Sequence, residues 1–265
     1  VDEYMANLPD YDLLFNITFP NGQTAQAIRL RQGENPQRAL TQLGFSLHRP
    51  VIFISGGASK MSDKDIALTQ KIITEVAHFA EEHNILVIDG GTESGVMKMI
   101  GDTRDHLKYR FPLVGISPLG VVSFPTYPNP NSEAELEDNH THFILVDGMN
   151  WGDETVTIIN TAYMISGENQ YPAVGILVNG GKIAMQEMYL ASTYPNVKEH
   201  MALVVIEGSG RAADEISTAY RTGVNDQQGI LKAIISGADI DLVSTIDGPA
   251  KMREKLIKRF GLAND

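Results

Sequence analysis

Cysteine is absent from this 265-residue chain. That excludes disulfides, thiolate nucleophiles and cysteine-based zinc sites together, and it fits a reducing compartment. Positive charge is scarce too: 21 Lys and Arg stand against 33 Asp and Glu, a formal net charge of −12. A broad nucleic-acid-binding face needs clustered basic residues, so no nucleic-acid partner is expected. No run approaches the ~18 consecutive apolar residues of a membrane span. The first residues, Val1-Asp2-Glu3, are acidic and do not form the basic and apolar regions of a signal peptide. These absences read as a soluble, cytoplasmic chain. Tryptophan occurs once, at Trp151, and hydrophobic residues make up 43% of the whole, an ordinary share for a globular protein.

What the chain has in quantity is glycine at the ends of apolar runs. Val51-Ile-Phe-Ile-Ser55 ends in Gly56-Gly57, Ile85-Leu-Val-Ile-Asp89 in Gly90-Gly91, and Leu113-Val-Gly-Ile-Ser-Pro118 in Leu119-Gly120. Phe143-Ile-Leu-Val-Asp147 ends in Gly148, Val174-Gly-Ile-Leu-Val-Asn179 in Gly180-Gly181, and Leu203-Val-Val-Ile-Glu207 in Gly208-Ser209-Gly210. Short Val/Ile runs with no polar alternation are the mark of strands buried on both faces. Helical stretches lie between them, such as Ser62 to Glu82, with Ile66, Ile72, Ile73, Val76 and Phe79 on one side and Ser62 as N-cap. Strands alternating with helices predict an α/β protein: a Rossmann-like three-layer fold with a mainly parallel sheet. All the glycine turns then fall on the carboxyl edge, where such sheets bind ligands.

The flanks differ from this core. Residues 12–30 read as a β-hairpin turning at Pro20-Asn21-Gly22-Gln23, covering a sheet edge, and residues 35–43 as a short helix. Residues 123–140 are too long and too rich in Pro and Asn for a tight turn, which fits either a binding loop or a solvated insertion. After Arg221 the strand pattern stops, and Gln227–Ser236 and Pro249–Phe260 read as helices. The predicted organisation is therefore an N-terminal hairpin and short helix over 1–50, a Rossmann-like core over 51–222 and a C-terminal helical extension over 223–265.

Several strings invite chemistry. Gly208-Ser-Gly210-Arg211-Ala-Ala213 fits the dinucleotide fingerprint as letters. It stands after the last predicted strand, though, with no further strand carrying an acid about twenty residues on, so an ordinary NAD-dependent dehydrogenase is disfavoured. A glycine-rich helix entry with an arginine still suits a phosphate. Gly90-Gly91-Thr92-Glu93-Ser94-Gly95 offers N–H and hydroxyl donors at a strand-to-helix turn, but it lacks Walker A spacing. His140-Thr-His142, with Asp138 nearby, sets two imidazoles on one face of a strand. No third ligand is spaced to join them, so no metal is expected. Trp151 follows the fourth glycine turn, where it either stacks on a base or packs under a loop.

Taken together, Ser55-Gly56-Gly57-Ala58, Gly90-Gly91 with Gly95-Val96-Met97-Lys98 and Gly101, Asn139-His140-Thr-His142-Phe-Ile-Leu-Val-Asp147, and Glu207-Gly-Ser-Gly-Arg211-Ala-Ala-Asp214 resemble the SLOG superfamily of Rossmann-like nucleotide-binding domains. The resemblance is to its LSDAT branch, found at the cytoplasmic N-terminus of melastatin-type TRP channels and in prokaryotic relatives, and it covers about residues 51–220. It implies a sensor for ADP-ribose, cyclic ADP-ribose or a related NAD-derived nucleotide, controlling an attached or partner effector that includes a membrane or effector domain outside this chain. A small-molecule nucleotide would be the ligand, with no other cofactor, and a homo-oligomer is expected. Carried over to this chain, the ligand contacts are Ser55, Gly56, Gly57, Ala58, Gly90, Gly91, Thr92, Gly208, Ser209, Gly210 and Arg211. Gly95, Asp147, Gly148, Trp151, Gly180 and Gly181 complete the candidate set on the same edge.

Two departures qualify what the resemblance implies. Thr161 and Glu154 stand where ADP-ribose-sensing members carry an arginine and a stacking aromatic, which leaves room for a different nucleotide. Asn179-Gly180-Gly181-Lys-Ile183-Ala184-Met-Gln-Glu187 is similar to the P-G-G-x-G-T-x-x-E motif of cytokinin-activating phosphoribohydrolases, which supplies the alternative of an N-glycosidic hydrolase acting on a nucleoside monophosphate or NAD. Glu187 would then be its catalytic residue, but Ile183 and Ala184 replace the Gly-Thr pair. The sensor, with no catalytic residue, is the favoured expectation.

Overall fold

A computed structural model describes residues 8, 10–57, 60–223 and 229–263. Its centre is a nine-stranded sheet in the order β1-β2-β8-β5-β4-β3-β9-β10-β11. The strands that follow the glycine-ended runs are β3 (Val51–Gly56), β4 (Leu86–Asp89), β5 (Leu113–Pro118), β8 (His142–Val146), β9 (Ala173–Val178) and β10 (Ala202–Glu207), and all of them pair in parallel. The chain builds outward from β3 through β4 and β5 to β8. It then crosses back to lay β9 on the other side of β3 and continues to β10. Two runs of opposite direction therefore part between β3 and β9, the topological switch point of the sheet.

Alternation along each strand feeds two layers of helices. Val51 and Phe53 enter one apolar cluster with α1 (Gln37–Gln42), α4 (Thr155–Ile165), α5 (Lys182–Ser192), α6 (Arg211–Thr222) and α7 (Gly229–Gly237). Ile52 and Ile54 enter the other with α2 (Asp63–Glu82), α3 (Gly95–His106) and α8 (Gly248–Phe260). A side chain of this size fully buried contributes ~1.5–3 kcal/mol, so both faces drive the fold. Ser62 caps α2 as expected, its hydroxyl accepting the Asp65 N–H.

The structure alters three expectations at the flanks. The hairpin, β1 (Leu14–Thr18) and β2 (Thr24–Leu30), does not lie over an edge. It joins the sheet, β2 pairing in parallel with β8 and leaving β1 as the edge strand. After Arg221 the chain is not helical throughout: β11 (Ile240–Ser244) pairs with β10 and α8 packs against α2. Asp241, the second residue of β11, breaks the apolar run by which the other strands are recognised. It is buried as an ion pair with Lys255 and Arg259 of α8. Finally, the Pro/Asn-rich stretch is not a solvated insertion. It carries β6 (Val122–Ser123) and β7 (Ala134–Glu135) and buries Val122, Phe124, Tyr127 and Leu136 against Ile17, Phe19, Phe143 and Leu145. The β5-to-β8 connection has one 3-10 turn, Leu119–Val121, and no α-helix, and this segment takes the helix's place over that end of the sheet.

Candidate functional site

At the switch point the first and fifth glycine turns face each other. Gly56 has φ +132°, and a Cβ there would run into the Val178 carbonyl, so only glycine lets β3 lie this close to β9. The next N–H, of Gly57, donates to the same carbonyl at 3.1 Å, and the position of a Gly57 Cβ is open space. Ala58, a predicted contact, lies outside the described residues. Ser55 is buried, and its hydroxyl donates to the carboxyl of Glu187 on α5.

The fifth and sixth turns are joined to each other. Asn179 N–H donates to Ser209 Oγ and Asn179 Nδ2 to the Ser209 carbonyl, each at 2.7 Å. In return Ala213 N–H donates to the Asn179 carbonyl at 2.9 Å and Ala212 N–H to that of Gly180 at 3.4 Å. Gly208 N–H goes to Asp214 Oδ1 at 2.6 Å. The Ala212 and Ala213 N–H groups, in the first turn of α6 where a phosphate was expected, are thus occupied by the neighbouring turn. α5 is different: its N-cap is Gly181, with no side chain to accept the free N–H groups of the first turn. Arg211, at φ +51°, extends its guanidinium over that cap, so that a Cβ on Gly181 would come within 2.7 Å of Nη2. Arg211 has no hydrogen-bond or ion-pair partner among the described residues.

The second turn lies beside β3 and is used internally. Gly91, at φ +68°, presses within 2.7 Å of the Gly115 Cα, counted from a Cβ built on it. Its N–H donates to Asp89 Oδ1 at 2.7 Å and its carbonyl accepts from Glu137 N–H at 2.9 Å. Ser117 Oγ donates to the Gly90 carbonyl at 2.7 Å. Thr92 is buried, bridges to Leu136, and has its hydroxyl 3.1 Å from that of Ser94. Gly95 opens α3 at φ +55°.

Beneath this turn is a buried ionic triad. His140 Nδ1 is 2.6 Å from Glu137 Oε2, and its Nε2 is 2.9 Å from Asp89 Oδ1. Burial alone would lower the imidazole, but the Asp89 charge and the hydrogen bonds to both carboxylates outweigh it and push it up to about 9. His142 opens β8 with its ring 4.5 Å from that of Phe45, and burial, helped by the Arg104 charge, pulls it down to about 4. The two imidazoles thus have separate surroundings, contrary to the expectation of a shared face.

The fourth turn stands farther along the edge. Asp147 is paired with Arg29, at 2.7 and 3.0 Å, and accepts from Tyr11. Gly148 packs where a Cβ would meet Asp153. Trp151 Nε1 donates to Glu133 Oε2 at 2.7 Å, and the ring packs on the cluster under the 123–140 segment. The end of this turn does reach the switch point: Gly152 lies against Ile183, 3.7 Å from a Cβ built on the glycine. Its N–H donates to Glu154 Oε2 at 2.7 Å. Sequence reasoning left out Asn179 and Glu154 as elements of the site, since the contacts that place them join distant segments.

Glu154 is the N-cap of α4 and 5% exposed; Glu187 is 6% exposed. Burial raises the Glu154 carboxyl, against the pull of backbone N–H groups. Burial likewise raises Glu187, to about 8, with the Ser55 bond opposing and the charges of Glu154 and Asp89 adding to it. Around the ends of β3 and β9 the structure therefore gathers an open helix terminus, an unpaired arginine, close-packed glycines and two buried carboxyls. Residues 49–253 match the family model described as SLOG in TRPM, prokaryote. The chain belongs to that family.

The relatives of this SLOG domain agree. It is 26% identical over 247 residues to the transient receptor potential cation channel subfamily M member-like 2 of Nematostella vectensis, covering 80% of this chain and 15% of that protein. It is 30% identical over 169 residues to subfamily M member 1 of Mus musculus, covering 51% of this chain and 10% of that protein. It is 25% identical over 246 residues to the trpm channel of Drosophila melanogaster, covering 79% and 12%. The chain thus spans a small part of each channel. Among the described residues no helix is long and apolar enough to cross a membrane.

Proposed function

We propose that this SLOG domain is a sensor: it binds a nucleotide-derived signal of the ADP-ribose type at the carboxyl edge and regulates an attached or partner effector. The observation that supports this most is the unpaired Arg211 guanidinium standing over Gly181 at the uncapped start of α5. A cation and free N–H groups converging on one point suit a phosphate, and the glycines on either side let it approach the backbone. The matched relatives are named as cation channels, which makes a channel or similar effector the natural recipient of the signal. Regulation then requires that the nucleotide favour one of two effector states.

The test is calorimetry and thermal shift with ADP-ribose. The nucleotide raises the melting temperature of the wild-type chain and raises that of Arg211→Ala far less. Equal shifts would remove Arg211 from the site, and no shift in either would remove the nucleotide.

A second reading has its own supporting observation. A carboxyl at about 8 keeps its proton at neutral pH, so Glu187 is able to protonate a leaving base as the general acid of an N-glycosidic hydrolase. That reading expects free base from AMP or NAD, lost in Glu187→Gln. No product after prolonged incubation would end it.

A further inference from the structure

The buried acids of this domain divide into two kinds. Asp89 and Glu137 share His140, and Asp241 has Lys255 and Arg259. Glu154 and Glu187 have no cation among the described residues. A buried carboxyl without a counter-charge is held toward its neutral form, and such groups cluster at functional sites.

Both carboxyls belong to the crevice. Glu187 rises from α5 to meet Ser55 at the end of β3. Glu154 starts α4 beside Gly152, which rests on Ile183 in the first turn of α5. The opening by Arg211 and Gly181 and the two acids therefore share one helix, α5, and its immediate neighbours. Each carboxyl accepts from one protein donor outside its own residue: the Gly152 N–H for Glu154 and the Ser55 hydroxyl for Glu187. A carboxyl has further acceptor positions, and when protonated, as Glu187 is at neutral pH, an O–H to donate, so both have capacity left for a group that donates and accepts.

We propose that Glu154 and Glu187 hold the cis-diol of the nucleotide's ribose and so select ribonucleotides over their deoxy counterparts. This rests on the nucleotide reading above and assigns the ligand's second chemical group. A vicinal diol offers two hydroxyls at a fixed separation, each both donor and acceptor. Two carboxyls at the side of a phosphate position match that, while they offer no cation to a second phosphate. A divalent cation is the less suitable occupant: the described residues converge as three or more acidic or histidine ligands at Glu93, Glu137 and Asp138, not at Glu154 and Glu187.

Isothermal titration calorimetry with ADP and 2′,3′-dideoxy-ADP tests the assignment, since the probes differ only in the diol. Wild-type chain is expected to bind ADP about tenfold or more tightly than the dideoxy probe, the scale of two lost hydrogen bonds. In Glu154→Gln and in Glu187→Gln that ratio falls toward one. Equal affinities in the wild type overturn the assignment, and that holds also when neither probe binds while ADP-ribose does. A preference that survives in both variants overturns it as well, as does heat from magnesium chloride alone that disappears in Glu154→Gln. Loss of ADP-ribose binding in Arg211→Ala with no diol preference would leave the phosphate reading standing and remove this one. The wild-type comparison needs no variant and decides the matter should the substituted chains fail to fold.

Discussion

The guanidinium of Arg211, on the first residue of α6, lies over Gly181, the N-cap of α5, near enough that a Cβ on the glycine would sit 2.7 Å from Nη2. Two turns from different strands are thereby brought to one point. The obstruction to a larger residue is the far end of a flexible side chain, so Gly181→Ala is expected to leave the melting temperature within about 2 °C of wild type, the scale of a surface change. It displaces the guanidinium, however, and ADP-ribose affinity should fall at least about fivefold, a step of roughly 1 kcal/mol. Unaltered affinity would separate Arg211 from the ligand.

Gly56 gives the opposite outcome. Its φ of +132° disfavours any side chain, and its Cβ would meet the Val178 carbonyl, which is backbone in a central strand and has nowhere to go. Gly56→Ala is therefore expected to cost stability first, about 3 kcal/mol from strain and overpacking together. Urea denaturation reads this directly, and a midpoint unchanged from wild type would show that β3 and β9 are less tightly joined than described.

Two buried groups lower stability as pH rises, in different windows. Glu187 holds its proton more tightly folded than unfolded, from an ordinary 4.5 up to about 8. Unfolding therefore releases a proton across that range, and stability falls as pH rises from 4.5 through about 8. His140 is also raised, from 6.5 to about 9. Its ion pairs contribute in full below pH 6.5 and are lost as pH rises through about 9, an effect of the order of 3 kcal/mol. Melting curves should slope downward from pH 6.5 to 9.5. They should run nearly level from 5 to 6.5, where His142, pulled down to about 4, adds stability with rising pH and offsets Glu187. Glu187→Gln, which keeps an acceptor for Ser55, flattens the acid half of the slope, and His140→Gln flattens the alkaline half. A flat wild-type profile contradicts both assignments.

The legible parts of this protein were those written in contiguous residues. β3, β4, β5, β8, β9 and β10 stand out because both of their faces are buried and glycine ends each run. β11 is an edge strand whose buried Asp241 is neutralised by α8, so no apolar string announces it. In the site, Ser55 and Arg211 are visible from local context alone. That α6 gives the N–H groups of Ala212 and Ala213 to Asn179 and Gly180, leaving α5 as the open terminus, depends on a contact across some thirty residues. The approach of Gly152 to Ile183, which brings Glu154 to the crevice, is of the same kind. No residue type in the sequence marks it.

The 123–140 segment supplies the remaining prediction. It is held over the second glycine turn by two devices: the strand-like bonds of Glu93 N–H to the Glu135 carbonyl at 2.8 Å and Glu137 N–H to that of Gly91 at 2.9 Å, and the Glu137–His140–Asp89 triad. Gly101 of α3 lies against the Glu137 carboxyl, leaving no room for a Cβ. Gly101→Ala is a good helix substitution in itself, worth up to about 1 kcal/mol in favour of α3. Here it must push Glu137 away from His140, leaving a buried imidazolium with one carboxylate instead of two, and removing a partner from a buried ion pair costs about 3–5 kcal/mol. The net expectation is a destabilised chain whose amide exchange rises at 134–140 and at 91–93 while α4 and α5, in the cluster on the other face of the sheet, keep their protection. Stabilisation by Gly101→Ala would mean that Glu137 has another place to go and that the triad does not fasten the segment.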